Sequence, residues 1–190
     1  MLESLLTEIR QCTVCEPHLP LGANPVIRAH SAAKILIIGQ APGTKVHQTS
    51  IPWNDASGER LRQWLGLDRE AFYCEENIAI MPMGLCYPGK GRSGDLPPRK
   101  ECAPLWHAKV LEQLPNRQLT LLIGQYAQHY YLSDKPSTLT ETVQQWQRWA
   151  PSVLPLPHPS PRNTLWLRNH PWFEQDIVPY LRHRVKQVLT

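Results

Sequence analysis

The stretch "KILIIGQAPG" (Lys34–Gly43) decides how this chain folds. Lys34–Gly39 is a short, apolar, β-branched run, which reads as a buried parallel strand. A glycine- and proline-containing turn follows at once. Open α/β sheets hold their ligands at the carboxyl ends of strands, so this turn is the first place to look for a site. GQAPG matches neither G-x-G-x-x-G nor G-x-x-x-x-G-K-[ST]. It has no lysine for a β/γ-phosphate, and Pro42 removes a backbone donor. Taken alone, it is equally compatible with a plain strand-to-loop turn.

Outward from this strand, apolar spacing alternates between helix and strand. "LESLLTEIRQC" predicts an N-terminal helix ending near Cys12. "SGERLRQWLGL" (Ser57–Leu67) predicts a helix with Ser57 as a plausible N-cap and its end at Gly66. "NIAIMPM" (Asn77–Met83) predicts a second strand, and "ECAPLWHAKVLEQL" (Glu101–Leu114) a helix. "LTLLIG" (Leu119–Gly124) predicts a third strand, with a helix starting in "QYAQHYYL". "SVLPLPHPSP" holds a short fourth strand, and "WFEQDIVPYLRHRVKQVL" is mostly helix. Strands alternating with helices imply a parallel, doubly wound sheet. The expected architecture is a three-layer αβα sandwich with a central, mostly parallel four-stranded sheet, formed as one domain over residues 1–190.

Composition agrees. At 190 residues and 42% hydrophobic, the chain can bury one α/β core and is too short for two comfortable ones. A net charge of +4 permits a nucleic-acid partner without demanding one. No apolar run approaches the roughly 18 residues of a membrane span. The first residues carry acids early and lack a signal-peptide pattern, so a soluble, cytoplasmic protein is expected; a monomer is the expected state. The 19 prolines concentrate in "CYPGKGRSGDLPPRKECAP" and "APSVLPLPHPSPRN". Those segments read as long ordered loops, where binding and chemistry tend to reside.

Four of the five cysteines form a pattern. Cys12 and Cys15 make a C-x2-C pair, and Cys86 and Cys102, with 15 residues between them, flank the first proline-rich loop. Two sulfurs three positions apart can reach one metal centre, and two more can close it from the far side. Reduced core thiols remain the plain alternative. Spacing does not separate zinc from a [4Fe–4S] cluster. Cys74 reads as a core cysteine at a strand start.

Three further segments lie at strand ends. "PWNDASG" (Pro52–Gly58) offers the Trp53 ring and the Asp55 carboxylate close together, although Asp55 or Ser57 could simply cap the following helix. "PMGLCYPGKG" follows the second strand. "HPSPRN" (His158–Asn163) follows the fourth and holds His158 between stiff prolines, with Arg162 and Asn163 placed as in a phosphate-touching loop. Arg162 could equally be a solvated surface charge.

With these residues assembled, the chain resembles the uracil-DNA glycosylase superfamily from Cys12 to about Asn169. GQAPG is similar to that superfamily's first motif, which holds the flipped base. HPSPRN is similar to its second, the histidine-bearing loop that enters the minor groove, and reads most like that of the single-strand-selective group. The four cysteines and the 15-residue gap resemble the iron–sulfur branches of the family. The resemblance therefore implies a [4Fe–4S] cluster on Cys12, Cys15, Cys86 and Cys102, with zinc as the alternative.

It also implies a reaction: extrusion of a damaged base from DNA, most simply uracil, and hydrolysis of its N-glycosidic bond. His158 would donate toward the base O2 as negative charge develops there. Backbone around Gly39, Gln40 and Ala41 would line the pocket, and Trp53 would stack on the base. Ser160, Arg162, Asn163, Lys90 and Arg92 would border the DNA, and Leu165 or Trp166 would serve as a wedge into the stack.

Two positions depart from the family pattern. The best-known branch carries an acid at the position of Ala41, and the GEAPG branch a glutamate at that of Gln40. A third branch lacks both and resembles "D-x-S-G" downstream, which Asp55–Gly58 matches, so Asp55 is the expected water-orienting or cation-stabilising group. Relatives often carry a uracil-reading asparagine where this chain has Pro82, so either the base choice differs or backbone near Met83 and Gly84 reads the base instead. Two other functions fit less of the pattern. A non-catalytic lesion-binding protein would bind without releasing base. A zinc-stabilised enzyme acting on small nucleosides would lack salt-dependent DNA affinity.

Overall fold

The computed structural model describes residues 1–190. Its four-stranded sheet consists of β1 (Ile35–Ile38), β2 (Ile78–Ile80), β5 (Leu119–Ile123) and β6 (Val153–Leu156), in the order β2-β1-β5-β6. All three pairings are parallel, with Ile35 opposite both Ile78 and Leu119, and Leu121 opposite Leu154. The only antiparallel addition is an isolated bridge between Arg28 and Ile80.

Alternation along β1 splits the core into two. Ile35 and Ile37 face one side, where they pack with Leu61, Trp64 and Leu65 of α3 (Ala56–Leu65) and Leu181 and Val185 of α9 (Val178–Leu189). Leu36 and Ile38 face the other, against Leu2, Leu6 and Ile9 of α1 (Leu2–Arg10) and Val110 of α5 (Ala108–Glu112). Both faces are covered because every strand residue of β1 and β2 is buried, as an all-parallel sheet requires. Burying each such Leu or Ile contributes about 1.5–3 kcal/mol. Gln128 of α6 (Gln125–Tyr131) is the polar exception, donating to the carbonyls of Leu122 and Leu156 at 3.1 and 2.9 Å. The architecture is the expected αβα sandwich.

Smaller elements were less legible. The helices α2 (Thr44–Thr49), α4 (Arg69–Phe72), α7 (Leu139–Gln144) and α8 (Thr164–Asn169) are short, and the first proline-rich loop contains a hairpin, β3 (Lys90–Gly91) with β4 (Gly94–Asp95). α3 starts at Ala56 because Asp55, not Ser57, is its N-cap. Cys74 is half-buried in the turn ahead of β2, correcting its reading as a core residue; its carbonyl accepts from the Asn77 and Ile78 amides. No helix is long and apolar enough to cross a membrane.

The chain runs from β1 outward to β2 and then crosses to β5 on the other side of β1. Connections therefore diverge between β1 and β5, which opens a crevice at their carboxyl ends. Gly39, Gly124 and the segment after Leu156 stand at its mouth.

Candidate active site and cysteine cavity

A cleft of about 540 Å³ occupies that crevice. Its walls include Gly39, Gln40, Ala41, Trp53, Asp55, Pro82, Lys90, Asp95, His158, Ser160, Arg162 and Asn163. Ten of the residues expected from sequence thus meet in one space. Met83, Gly84 and Arg92 do not line it. The Met83 and Gly84 amides donate to the carbonyls of Gly39 and Gln40 at 2.9 and 3.0 Å, so they brace the turn and have no N–H left to read a base. Arg92 is exposed at the hairpin tip.

His158 is set by its own loop. The Ser160 amide donates to Nδ1 at 3.2 Å, and Asn163 Nδ2 donates to the His158 carbonyl at 2.8 Å. An Nδ1 that accepts a backbone N–H leaves the neutral ring with its proton on Nε2. Burial pulls the ring's pKa down to about 4, with the Asp55 carboxylate opposing that shift. His158 is therefore a neutral Nε2–H donor at physiological pH. Asn163 and the Ser160 hydroxyl, which accepts from the Arg162 amide, are committed to this loop.

Asp55 has two tasks available to its two oxygens. Oδ1 accepts from the Gly58 amide at 2.9 Å and caps α3, a bond worth about 1 kcal/mol. Oδ2 makes no hydrogen bond within the protein and belongs to a residue that lines the cleft.

Trp53 lies between the turn and the histidine. Its ring centroid is 5.6 Å from that of His158, and a Cβ on Gly39 would come within 2.8 Å of the indole. Only glycine at position 39 admits the ring. Trp53 also has φ of +60°, a left-handed conformation that costs a bulky residue about 1–3 kcal/mol. Gly58 allows it, since a Cβ there would stand 1.7 Å from the Trp53 carbonyl oxygen.

The hairpin closes one side of the cleft. Arg162 donates to the Ser93 carbonyl, tying the hairpin to the histidine loop. Asp95, a second cleft carboxylate that the sequence reading missed, has its pKa raised by burial, with Arg162 and Lys90 opposing. "GRSG" between two polar residues was the available signal of a tight hairpin. Behind Pro82, His107 donates from Nε2 to the Pro82 carbonyl at 3.0 Å and accepts from the Tyr131 hydroxyl at Nδ1. Burial pushes the His107 pKa down to about 4 and that of Tyr131 upward, so this pair is neutral. Leu165 is 61% exposed on α8, whereas Trp166 is tied to Thr140 and packed on His170.

A family model described as the uracil DNA glycosylase superfamily matches residues 28–182. This chain belongs to the uracil-DNA glycosylase superfamily. Among curated proteins it is similar to the type-4 uracil-DNA glycosylase of Thermotoga maritima, at 22% identity over 162 residues, covering 84% of this chain and 82% of that one. A solution NMR structure of a candidate uracil DNA glycosylase from Methanosarcina acetivorans is similar at a TM-score of 0.46 and 16% identity, covering 82% of this chain and 93% of that one.

In this glycosylase-family chain the four patterned cysteines line one small, second cavity, together with Leu19, Ala23, Pro25, Leu85 and Trp106. Burial raises the pKa of Cys15 to about 11 and also raises those of Cys86 and Cys102, while the Asn24 and Leu85 amides oppose this at the latter two sulfurs. Cys15 donates to Glu101, itself paired with Arg99 at 2.8 Å. The Trp106 indole N–H is buried without a partner. Four thiols, backbone amides facing two of them and an unpaired donor in an apolar wall suit a thiolate-bound, sulfur-rich group. No three His, Cys, Asp or Glu side chains are close enough to hold a single metal ion.

Proposed function

We propose that the chain is a monofunctional DNA glycosylase that removes uracil from DNA as a cytoplasmic monomer, with residues 1–190 acting as one domain. Superfamily membership supports action on DNA. The observation that carries the reaction is the pairing of a neutral His158 Nε2–H donor with the free oxygen of Asp55 in one cleft.

The extruded base enters beside Trp53, whose face stacks on it. As the bond from the sugar C1′ to the base nitrogen breaks, its electron pair leaves with the base. His158 Nε2–H donates to the base oxygen where that charge collects, without giving up its proton. Asp55 Oδ2 faces the cationic sugar and orients the water whose oxygen bonds C1′, taking its proton. The product is an abasic site and free base. Lys90, Arg162 and the rest of the histidine loop border the DNA backbone.

Cys12, Cys15, Cys86 and Cys102, which line one cavity, would hold a [4Fe–4S] cluster, with zinc as the alternative for the same four thiolates. When bound, the cluster supplies bracing between the N-terminal segment and the proline-rich loop.

The test is alkali-revealed cleavage of single- and double-stranded oligonucleotides holding uracil, hypoxanthine or xanthine, on protein whose visible spectrum has been recorded. Brown protein that releases uracil fits the proposal. Tight binding with every glycosidic bond intact overturns the catalytic reading. Colourless, zinc-bearing protein overturns the cluster.

A further inference from the structure

Arg62 is 5% exposed and has no carboxylate partner; the only ion pairs in the protein are Arg99–Glu101 and Arg148–Asp134. Burying a lone guanidinium is costly, and where one persists its hydrogen bonds say what it is for. Nη1 donates to the Trp53 carbonyl at 3.1 Å and to the Tyr73 hydroxyl at 3.3 Å. That hydroxyl in turn donates to the Pro52 carbonyl at 2.7 Å. The guanidinium carbon lies 5.2 Å from the Phe72 ring centroid and 5.7 Å from that of Tyr73. Nη2 is buried and unpaired.

Two consecutive carbonyls, those of Pro52 and Trp53, are therefore pinned by one buried cation and one phenol. They belong to the residue in the left-handed conformation and the residue before it. A strained backbone persists only where its surroundings over-determine it, and such strain gathers at functional sites. We infer that Arg62 is a positioning residue, which holds Trp53 in its left-handed conformation through the Trp53 carbonyl and so sets the ring against which the extruded base stacks. The role deepens the glycosylase reading and rests on it. Without this bond the peptide relaxes toward negative φ, and the indole leaves its place between Gly39 and His158. Misplacing a positioning group by about 1 Å costs roughly 100-fold in rate.

The experiment compares Arg62→Met and Arg62→Lys in the wild-type and Trp53→Gly backgrounds. Glycine at 53 has no ring to place and no penalty at positive φ. We expect Arg62→Met to lower single-turnover uracil release roughly 100-fold in the wild type and less than about threefold on top of Trp53→Gly, the mark of coupled residues. Arg62→Lys keeps the charge, loses the fork and falls between. Losses that multiply in both backgrounds overturn the inference.

A second readout does not need activity. The chain has seven tryptophans, and Trp53→Phe identifies the Trp53 indole N–H among their NMR signals. That signal should move or broaden in Arg62→Met, or in Arg62→Lys if the methionine variant does not fold, while those of Trp64 and Trp166 stay. An unmoved Trp53 signal in a folded variant overturns the inference. Wild-type protein that releases no base would overturn the glycosylase reading alone, and the indole signal would still decide Arg62.

Discussion

The cleft at the strand ends and the cysteine cavity are both walled by loops, yet they are built in opposite ways. The cleft holds about 540 Å³ and is lined by residues with unused polar capacity: an Asp55 oxygen, the His158 donor and the Asp95 carboxylate. The cavity is small and lined by four sulfurs and apolar side chains. One region is polar and wide enough to admit a ligand; the other is narrow and lined mainly by sulfur and apolar groups. They communicate through two short stretches. Pro82 lines the cleft four residues before Cys86, and His107, five residues after Cys102, grips the Pro82 carbonyl. The Met83 and Gly84 amides in between hold the GQAPG turn. The segment between the cysteines thus also forms part of the wall of the cleft.

The sharpest way to break this division is Asp55→Asn. Asparagine caps a helix as well as aspartate does, so α3 keeps its start and only the charge in the cleft is lost. Single-turnover base release should fall roughly 10²–10⁴-fold, with DNA affinity and Tm nearly unchanged. Equal losses in rate and affinity would mean that Asp55 only shapes the DNA surface. His158→Ala follows, with a loss of about 3 kcal/mol, or roughly 100-fold, in rate. A near-wild-type rate would remove the leaving-group role.

The sequence carried the sheet and the cleft residues because both follow local rules. Apolar runs of strand length mark buried parallel strands, and turns at their ends collect polar residues. It could not show that the Met83 and Gly84 amides are consumed by the turn, since that depends on how the segment after β2 lies beside the one after β1. Arg62 was equally hidden. On a helix, an arginine between Leu61 and Gln63 reads as surface, and only the tertiary fold reveals that it is buried beneath the Trp53 carbonyl. Asp55 was legible as both cap and cleft residue, and the structure commits one oxygen to the cap and leaves the other without a hydrogen bond in the protein.

Cysteine replacement probes the other region. Cys86→Ser should bleach the protein and lower stability by about 3 kcal/mol or more, roughly 6–12 °C in Tm for a chain of this size. The rate per folded molecule should stay within about tenfold. A collapse of rate at unchanged Tm would invert the division between bracing and chemistry. Acid should separate the regions too. His107 and His158 are both held near 4, below the ordinary 6.5 of an unfolded chain. The unfolded state therefore binds more protons between those values, and stability rises with pH from about 4 to 6.5 and is flat above, as far as these two rings decide it. Replacing His107 with Gln should flatten much of that slope in urea titrations; an unchanged slope would assign it to other groups.

Arg162→Gln should have the smallest effect. The side chain is exposed, and its one bond within the protein ties the histidine loop to the Ser93 carbonyl of the hairpin. As a phosphate contact it would add affinity without reading the base. Its loss should weaken DNA binding to a similar extent for every sequence and reduce the slope of log affinity against log salt by about 1. The rate on saturating DNA should then change by less than about threefold, because His158 remains fixed by Ser160 and Asn163, neither of which needs the Arg162 side chain. Should the saturated rate fall tenfold or more with the salt slope intact, the Arg162–Ser93 tie would be shaping the pocket itself. The hairpin would then belong with the catalytic wall, carrying Asp95 into it, and the polar cleft would extend further from the strand ends than the histidine loop alone requires.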